Sequence, residues 1–422
     1  MMTSARLIAG TVLLAALTAG VAAQNAPSTS SGQAGPDWPQ WRGPRRDGTL
    51  TAFTAPATWP DALKQQWKIT VGEGYATPIL VGNRVYQFSR QGENEVMRSI
   101  DAATGKVIWE KSYAAPFEMT SGTRRHGPGP KSTPTYADGR IFTLGMSSIV
   151  TAWDAATGKE LWRIPSGPLQ PQFHTAMSPL VDGNQMFLHL GGDKQGSLNS
   201  FDPATGKIRW SWTGDGPAYG SPIIAEIGGT RHLMLFSQQN LIAVNPDTGA
   251  LLWSTPFESR STTNSITPLV YGGNTVIVSG QGKPLTAYIV ANKGGKWAVD
   301  LAWENPQVGM SFSNAVLVGD AVFSMSPLNS GQFFWADAKT GKTLWLSEPR
   351  QGGNAAITRS GDLLFVLKDT GELMVGKGTP GVAFTPAKTY TVATSATWAP
   401  PVISGNRIFV KDAETLALWT LN

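Results

Sequence analysis

The chain has 422 residues, of which 41% are hydrophobic and 15% are charged, and it contains 47 glycines, 29 prolines and 16 tryptophans. This composition favours many short strands joined by tight turns and disfavours a helical protein. The formal net charge is only +5, and the sequence has neither a clustered basic face nor a base-stacking motif, which argues against a nucleic-acid-binding protein.

The first 23 residues have the pattern of a secretory signal. Arg6 supplies a positive charge, residues 7–21 are apolar, and Val21-Ala22-Ala23 forms a small-residue cleavage site. The alternative is an uncleaved anchor, but the apolar run is short for a membrane-spanning helix, and no later segment is apolar enough. The chain has no cysteine, so it has no disulfide, no thiolate metal ligand and no lipid-bearing cysteine. The sequence predicts a periplasmic or secreted protein.

Residues 24–58 are predicted to form a flexible leader followed by a tryptophan-rich stretch. Ser, Gly, Ala and Pro dominate up to residue 36, a composition typical of a flexible linker. Residues 37–48, called the Trp-rich segment below, then carry Trp38 and Trp41 ahead of an Arg, Gly and Pro turn. We expect this segment to dock on the main domain; the alternative is a ligand or partner site.

From residue 59 to residue 422 the sequence repeats itself, which predicts a single domain. The phrase Asp-x-x-Thr-Gly-Lys-x-x-Trp occurs four times in nearly full form, at residues 101–109, 154–162, 202–210 and 337–345. An Asp that bonds the backbone two residues on, followed by a Gly in the left-handed conformation, is typical of a short β-hairpin. The Trp then packs on the buried side of the next strand. The phrase predicts a scaffold hairpin and requires no catalytic role.

A second phrase marks the start of each repeat: a small residue, Pro and an apolar residue. It occurs, in full or degenerate form, at Pro78, Pro134, Pro179, Pro222, Pro268, Asn314, Ala356 and Pro401. These eight starts lie 42 to 56 residues apart, the length of a four-stranded propeller blade.

The two ends of this domain are complementary. The last repeat ends one strand short after residues 415–421, whereas residues 65–69 resemble an outer strand with no blade before it. We therefore predict an all-β, eight-bladed propeller of four-stranded antiparallel blades, in which the N-terminal strand pairs into the C-terminal blade. Closure of this kind removes exposed sheet edges.

The repeated hairpin phrase resembles the pyrroloquinoline-quinone-type (PQQ-like) propeller superfamily, and Trp38-Pro39-Gln40-Trp41-Arg42-Gly43-Pro44 is similar to the N-terminal segment of its secreted bacterial members. The resemblance implies either a quinone-dependent dehydrogenase or a relative of the propeller lipoprotein of outer-membrane β-barrel assembly. For a dehydrogenase it implies PQQ and Ca²⁺ as cofactors. No Ca²⁺ ligand motif matches residue by residue, and the adjacent cysteines that such enzymes often carry are absent.

The inner strands of a propeller begin beside its central channel, so the residues three positions before each start ring one mouth. These are Tyr75, Lys131, Ala176, Tyr219, Ser265, Ser311, Gly353 and Trp398. Aromatic rings and a cation around a funnel could hold a flat anionic ligand. Adding the charged and imidazole groups of neighbouring loops, the candidate ligand-binding residues are Tyr75, Arg125, His126, Lys131, His174, Tyr219 and Trp398.

Glu73 and Asp215 precede two of the funnel aromatics and are the best candidate metal ligands. The funnel residues can also be explained without a ligand. The aromatic side chains would then pack at the channel throat, and Lys131, Arg125 and His126 would be solvated charges on loops. No catalytic residue can be assigned, because no Ser/His/Asp arrangement is readable.

Three functions remain open. The favoured hypothesis is an exported, monomeric, non-catalytic propeller that binds a protein or another envelope partner. The first alternative is a PQQ-dependent alcohol or sugar dehydrogenase, with Lys131 and Arg125 on the quinone carboxylates and Glu73 or Asp215 holding Ca²⁺ or acting as base. The second alternative is a polysaccharide-binding module that uses the same aromatic residues.

Overall fold

The computed structural model describes Met1, residues 36–120 and residues 122–421. The predicted signal segment beyond Met1, and the predicted leader up to residue 35, lie outside these residues. Within the described ranges the strands form eight four-stranded antiparallel sheets, which confirms the predicted propeller. Three short 3₁₀ turns are the only helical elements there, at Arg124–His126, Arg260–Thr262 and Leu328–Ser330. No helix in this part of the chain is both long and apolar enough to cross a bilayer.

The blades follow one another in chain order. Strand β1 (Lys64–Thr70) belongs to the last blade, and the strands of blades 1 to 4 are β2 (Ile79–Val81), β3 (Arg84–Gln91), β4 (Asn94–Asp101), β5 (Val107–Ala114), β6 (Thr135–Ala137), β7 (Arg140–Leu144), β8 (Val150–Asp154), β9 (Glu160–Ile164), β10 (Leu180–Asp182), β11 (Gln185–Gly192), β12 (Gln195–Phe201), β13 (Ile208–Trp212), β14 (Ile223–Ile227), β15 (Thr230–Phe236), β16 (Asn240–Val244) and β17 (Leu251–Pro256). The strands of blades 5 to 8 are β18 (Leu269–Tyr271), β19 (Thr275–Val278), β20 (Leu285–Lys293), β21 (Lys296–Asn305), β22 (Val316–Val318), β23 (Ala321–Ser326), β24 (Gln332–Asp337), β25 (Thr343–Leu346), β26 (Ala355–Ser360), β27 (Leu363–Lys368), β28 (Glu372–Lys377), β29 (Lys388–Thr391), β30 (Val402–Ser404), β31 (Arg407–Lys411) and β32 (Thr415–Thr420).

The ring closes as the sequence predicts. Strand β1 pairs antiparallel with β32, placing Trp67 opposite Leu418 and Thr70 opposite Thr415, and so becomes the outer strand of blade 8. The edge of β32 that would otherwise be open is therefore paired, which leaves no gap in the ring of blades.

The repeated phrase forms a hairpin between the third and fourth strands of its blade. In blade 1 the Asp101 carboxylate accepts hydrogen bonds from the Thr104 amide (2.9 Å) and the Thr104 hydroxyl (2.8 Å). Gly105 has a φ of 73°, which a residue with a side chain rarely adopts. A side chain at Gly105 would also collide with the indole of Trp67, because its Cβ would lie 2.8 Å from the Trp67 ring.

This contact joins blade 8 to blade 1, and an equivalent contact is present at the next three junctions. The Trp67 indole N–H donates to the Ala102 carbonyl at 3.1 Å, so β1 of blade 8 is tied to the hairpin of blade 1. The same bond recurs from Trp109 to the Ala155 carbonyl, from Trp162 to the Pro203 carbonyl and from Trp210 to the Pro246 carbonyl, at 3.0–3.1 Å. Among the described residues the indole N–H groups of Trp253 and Trp303 have no acceptor, although Trp303 packs on Gly341 in the hairpin of blade 6.

The hydrophobic core lies between neighbouring blades. Ile79, Tyr86 and Phe88 of blade 1, for example, pack in one buried cluster with Ile141 and Trp153 of blade 2. Each blade thus buries both faces of its sheet against its neighbours, which is why the strand interiors are almost continuously apolar.

The Trp-rich segment lies across the inner strands of the ring. Trp38, only 2% exposed, exchanges two backbone hydrogen bonds with Leu80 of blade 1, at 2.8 and 3.0 Å. The Pro39 carbonyl then accepts from the Tyr136 amide of blade 2, and the Gly48 carbonyl from the Arg359 amide of blade 7. The segment therefore spans the channel from one side of the ring to the other.

Two buried arginines fasten the middle of this segment. Arg46 donates to the carbonyls of Ser178 (3.2 Å) and Pro179 (2.9 Å) in blade 3 and of Pro222 (2.8 Å) in blade 4. Arg42 donates to the Ala315 carbonyl of blade 6 at 2.5 Å. Burial lowers the pKa of Arg42 to about 10 and that of Arg46 to about 9. Both pKa values remain above neutral pH, so both guanidinium groups are charged within the channel.

Candidate functional site

A cavity of about 360 Å³ occupies the mouth of the channel where the inner strands begin. Its lining residues come from the loops that precede the inner strands, from the longer loops between blades and from the Trp-rich segment: Trp41, Tyr75, Gly122, His126, Lys131, Phe173, Ala176, Tyr219, Ser221, Ser261, Thr263, Ser265, Gln281, Phe312, Asn314 and Trp398. Six of the eight positions that the repeat places at the throat are among them, Ser311 and Gly353 being the other two. The volume lies within the range of pockets that hold small molecules.

Four rings form an aromatic wall on one side of this cavity. His126 lies edge-to-face with Trp398 at a centroid distance of 4.5 Å, and it also contacts Phe312 at 6.1 Å and Tyr75 at 6.4 Å. Phe312 comes from the connection between blades 5 and 6, whereas His126 comes from the loop between blades 1 and 2. Residues 122–131 of this long loop therefore reach across the mouth.

Glycines allow the two loops at this wall to pack closely. The amides of Tyr75 and Ala76 both donate to the Pro130 carbonyl at 2.9 Å. A Cβ on Gly129 would lie 2.2 Å from the Glu73 carbonyl oxygen, so only glycine fits there. The buried Lys411 ammonium donates to the Gly74 carbonyl at 2.8 Å and holds the same loop from blade 8. The position of Tyr75 is thus set by backbone contacts on both sides.

Lys131 supplies a cation at the cavity surface. Its ammonium donates to the Phe173 carbonyl at 3.1 Å, and no carboxylate belongs to the described cavity lining. Burial without an acidic partner lowers the pKa of Lys131 to about 8. The neighbouring Tyr219 hydroxyl accepts from the Phe173 amide at 3.1 Å, and burial raises the pKa of Tyr219 well above its usual value.

The lowered pKa of Lys131 should make the stability of the protein depend on pH. Between its folded pKa of about 8 and its ordinary value of 10.5, the unfolded chain holds a proton that the folded chain has lost. The free energy of unfolding should therefore rise with pH across this window, as far as Lys131 contributes to it. Lys131→Met removes the group, so we expect any stability advantage of this variant over the wild type to be largest near pH 7 and to shrink towards pH 10. Urea unfolding of both proteins at several pH values measures this. A difference that is constant with pH would contradict the lowered pKa.

The opposite side of the cavity is lined by hydroxyl and amide groups. Ser221 accepts from the Ser178 amide at 3.0 Å, which leaves its own hydrogen available. The Gln281 side-chain oxygen accepts from the Thr263 hydroxyl at 2.8 Å, which leaves its NH₂ group available. The Thr263 and Ser265 hydroxyls donate to the Arg260 and Thr263 carbonyls, so this side offers a ligand both donors and acceptor oxygens.

The Trp-rich segment contributes Trp41 to the cavity, with its indole N–H bonded to the Thr267 hydroxyl at 3.0 Å. The two buried arginines beside Trp41 bind carbonyls next to cavity residues. Arg46 binds Pro222, which follows Ser221, and Arg42 binds Ala315, which follows Asn314. Their positive charges therefore lie close to the cavity wall.

The structure brings Tyr75, His126, Lys131, Tyr219 and Trp398 together in this cavity. His174 lies outside the lining; it is 6% exposed, its Nε2 is 3.1 Å from the Glu118 carbonyl, and burial lowers its pKa. Arg125 belongs to the turn Arg124–His126, and its side chain is outside the described part of the structure.

The two candidate metal ligands lie away from the cavity lining. Asp215 is buried and accepts hydrogen bonds from the Ser237 hydroxyl (2.6 Å) and the Gln239 amide (2.8 Å). Glu73 forms a backbone bridge with Arg90. In the described ranges no three His, Cys, Asp or Glu side chains are grouped so as to hold a metal ion.

Sequence reasoning missed three aromatic residues of the site. Phe312 directly follows Ser311, the expected throat residue of a repeat that has lost its proline, so the position was displaced by one. Phe173 lies next to His174 in a loop between blades. The repeated phrases do not predict where this loop runs. Trp41 lies in the segment expected to dock on the main domain, with a ligand or partner site as the alternative, and nothing in the sequence places it in the funnel.

These features define the class of protein: an eight-bladed propeller of PQQ-like repeats with a funnel at one mouth. A family model described as outer membrane protein assembly factor BamB matches residues 92–347, and the chain belongs to this family. It is 26% identical to the outer membrane protein assembly factor BamB of Burkholderia pseudomallei over 370 residues, which cover 82% of this chain and 85% of that protein.

The sequence similarity to quinoprotein dehydrogenases covers a smaller part of each chain. The chain is 28% identical to the quinohemoprotein alcohol dehydrogenase ADH IIB of Pseudomonas putida over 186 residues, which cover 41% of this chain and only 25% of the enzyme. Among solved structures, BamB from Moraxella catarrhalis aligns with a TM-score of 0.57 at 15% identity, covering 85% of this chain and all of that one. The quinohemoprotein alcohol dehydrogenase from Comamonas testosteroni aligns with a TM-score of 0.62 at 14% identity, covering 92% of this chain and 80% of the enzyme. At these identities the structures agree in fold.

Proposed function

We propose that this protein is an exported, monomeric, non-catalytic propeller that binds a protein partner in the bacterial envelope, in the role of an outer membrane assembly factor. The observation that supports the non-catalytic part of the proposal is the lining of the funnel. It has one ammonium and many hydroxyl groups, but no carboxylate among its described residues. The similarity to the BamB of Burkholderia pseudomallei, which extends over most of both chains, supports the same role.

The cofactors of the dehydrogenases fit this funnel only in part. Aromatic rings and Lys131 suit a flat anionic ring such as a quinone. Ca²⁺, however, takes six to eight oxygen ligands that usually include carboxylates. Glu73 and Asp215, the best candidates, lie outside the lining, and the Asp215 carboxylate is already bonded to Ser237 and Gln239. The described lining of the funnel therefore offers no carboxylate, either as a metal ligand or as a base.

The dehydrogenase nevertheless remains the second candidate, because the aromatic wall of Tyr75, His126, Phe312 and Trp398 could cover one face of a quinone. Purified protein is to be mixed with PQQ and Ca²⁺, and its melting temperature and alcohol turnover measured. We expect no turnover at saturating quinone; a rise in melting temperature together with alcohol turnover would support the dehydrogenase.

Partner binding has its own test. The mature protein is cross-linked in envelope extract and the captured proteins are identified by mass spectrometry. We expect a component of the outer membrane assembly machinery, captured equally well by wild type and by Lys131→Met, because the funnel is not assigned to the partner. Absence of any such component, together with alcohol turnover, would overturn the proposal.

A further inference from the structure

The funnel offers hydrogen-bond donors that the fold does not use. Among the described residues, the Lys131 ammonium has one hydrogen-bond acceptor, the Phe173 carbonyl, and can donate two further bonds. The hydroxyl hydrogen of Ser221 and the NH₂ group of Gln281 are also available, since both side-chain oxygens act as acceptors within the protein. These free donors suit a ligand with acceptor oxygens.

The cations beside the funnel favour an anion and oppose nearby carboxylates, those of Glu73 and Asp412 acting on Tyr75 and that of Asp193 acting on Tyr219. Lys131 lies at the surface of the cavity, and Arg42 and Arg46 lie in the adjacent Trp-rich segment, both almost fully buried. Asp47 offsets part of the charge of Arg42, whereas the pKa of Arg46 reflects only burial and repulsion from Arg42. Charge in such a poorly hydrated place acts more strongly than it would at the surface.

The shape of the cavity suits one ring. The aromatic wall of Tyr75, His126, Phe312 and Trp398 lies on one side, and the hydroxyls of Ser221, Ser261, Thr263 and Ser265 belong to the same cavity. Because the Trp-rich segment spans the channel, the ligand has to enter from the loop side of the ring. One ammonium corresponds to one carboxylate, and the hydroxyl groups can exchange hydrogen bonds with hydroxyls on the ring.

We propose that the funnel binds a sugar acid, a hydroxylated six-membered ring with a single carboxylate, which pairs with Lys131 while the ring lies against the aromatic wall. Sugar-acid binding at this site goes beyond the proposed protein-binding function, and it needs no metal ion. Trp41 makes the Trp-rich segment part of the site, in addition to its role in closing the channel.

Isothermal titration of the mature, full-length protein with glucuronate tests the proposal. The methyl ester of glucuronate is the neutral control of the same ring, and benzoate is the anionic control without ring hydroxyls. We expect glucuronate to bind at least about tenfold more tightly than either control, since the charged hydrogen bond and the hydroxyl contacts each contribute. Equal affinity for the ester, a preference for benzoate, or no binding of glucuronate would each overturn the proposal.

Two variants locate the site. Lys131→Met should weaken glucuronate binding at least about tenfold and leave the affinity for the ester unchanged. Lys159→Met removes an exposed lysine from the hairpin of blade 2 and should bind glucuronate as the wild type does. The melting temperature of each variant shows that it is folded. Unchanged binding by Lys131→Met would overturn the assignment.

Discussion

Trp67→Ala is expected to destabilise the closed ring by about 3–5 kcal/mol, the range for removal of a buried tryptophan. Trp67 is 8% exposed, donates to the Ala102 carbonyl and lies against Gly105 of the next blade. Its loss would leave a cavity at the junction where blade 8 meets blade 1, which is the joint that closes the ring.

Trp345→Ala is the matched control for this prediction. Trp345 occupies the same place in its repeat, but it is only partly buried, and its indole N–H has no acceptor in the described structure. Blade 7, which follows it, lacks the full hairpin phrase. We expect a loss of about 1–2 kcal/mol from the reduced apolar burial. Equilibrium unfolding in urea compares the two variants, and equal losses would show that docking on the hairpin contributes nothing.

Arg46→Met is expected to cost about 3 kcal/mol and to loosen the Trp-rich segment. The change removes the donor to three buried carbonyls, those of Ser178, Pro179 and Pro222. Each carbonyl left unpaired costs about 1–3 kcal/mol. Relief of a buried charge offsets part of that sum.

Arg45→Met is the matched control for Arg46→Met. The Arg45 side chain is 59% exposed and contacts only the Asp47 carboxylate, so its removal should cost less than about 1 kcal/mol. Chymotrypsin should cleave at Trp41 faster in Arg46→Met than in the wild type, and at the wild-type rate in Arg45→Met. Equal protection in all three proteins would contradict the fastening role of Arg46.

Much of the fold could be predicted from the sequence, because its information is local and repeated. The Asp-x-x-Thr-Gly turn depends on hydrogen bonds between residues close in the chain. The turn at Asp101 and Gly105 therefore forms in the same way as in the other copies of the phrase. The pairing of β1 with β32 followed from counting strands in the last repeat. The throat positions of Tyr75, Lys131, Tyr219 and Trp398 followed from the start of each inner strand.

The rest of the candidate site depends on contacts between distant parts of the chain. Nothing near His126 indicates that its loop crosses the mouth to meet Phe312. The Asp215 carboxylate is engaged by Ser237 and Gln239, residues that only the folded blade brings near. Trp41 enters the funnel because Arg46 and Arg42 bind its segment to backbone carbonyls of three blades, and no side-chain pattern in the sequence indicates these bonds.

The pairing of β1 with β32 delays closure of the ring until the end of the chain has been synthesised. Thr70 and Thr415 are partners in one sheet, yet nearly the whole domain is synthesised between them. At about 5–20 residues per second, β1 waits on the order of 20 to 70 seconds for its partner to emerge from the ribosome. Throughout that delay the growing chain carries an unmatched strand bearing Trp67, so the ring can close only after β32 has been made.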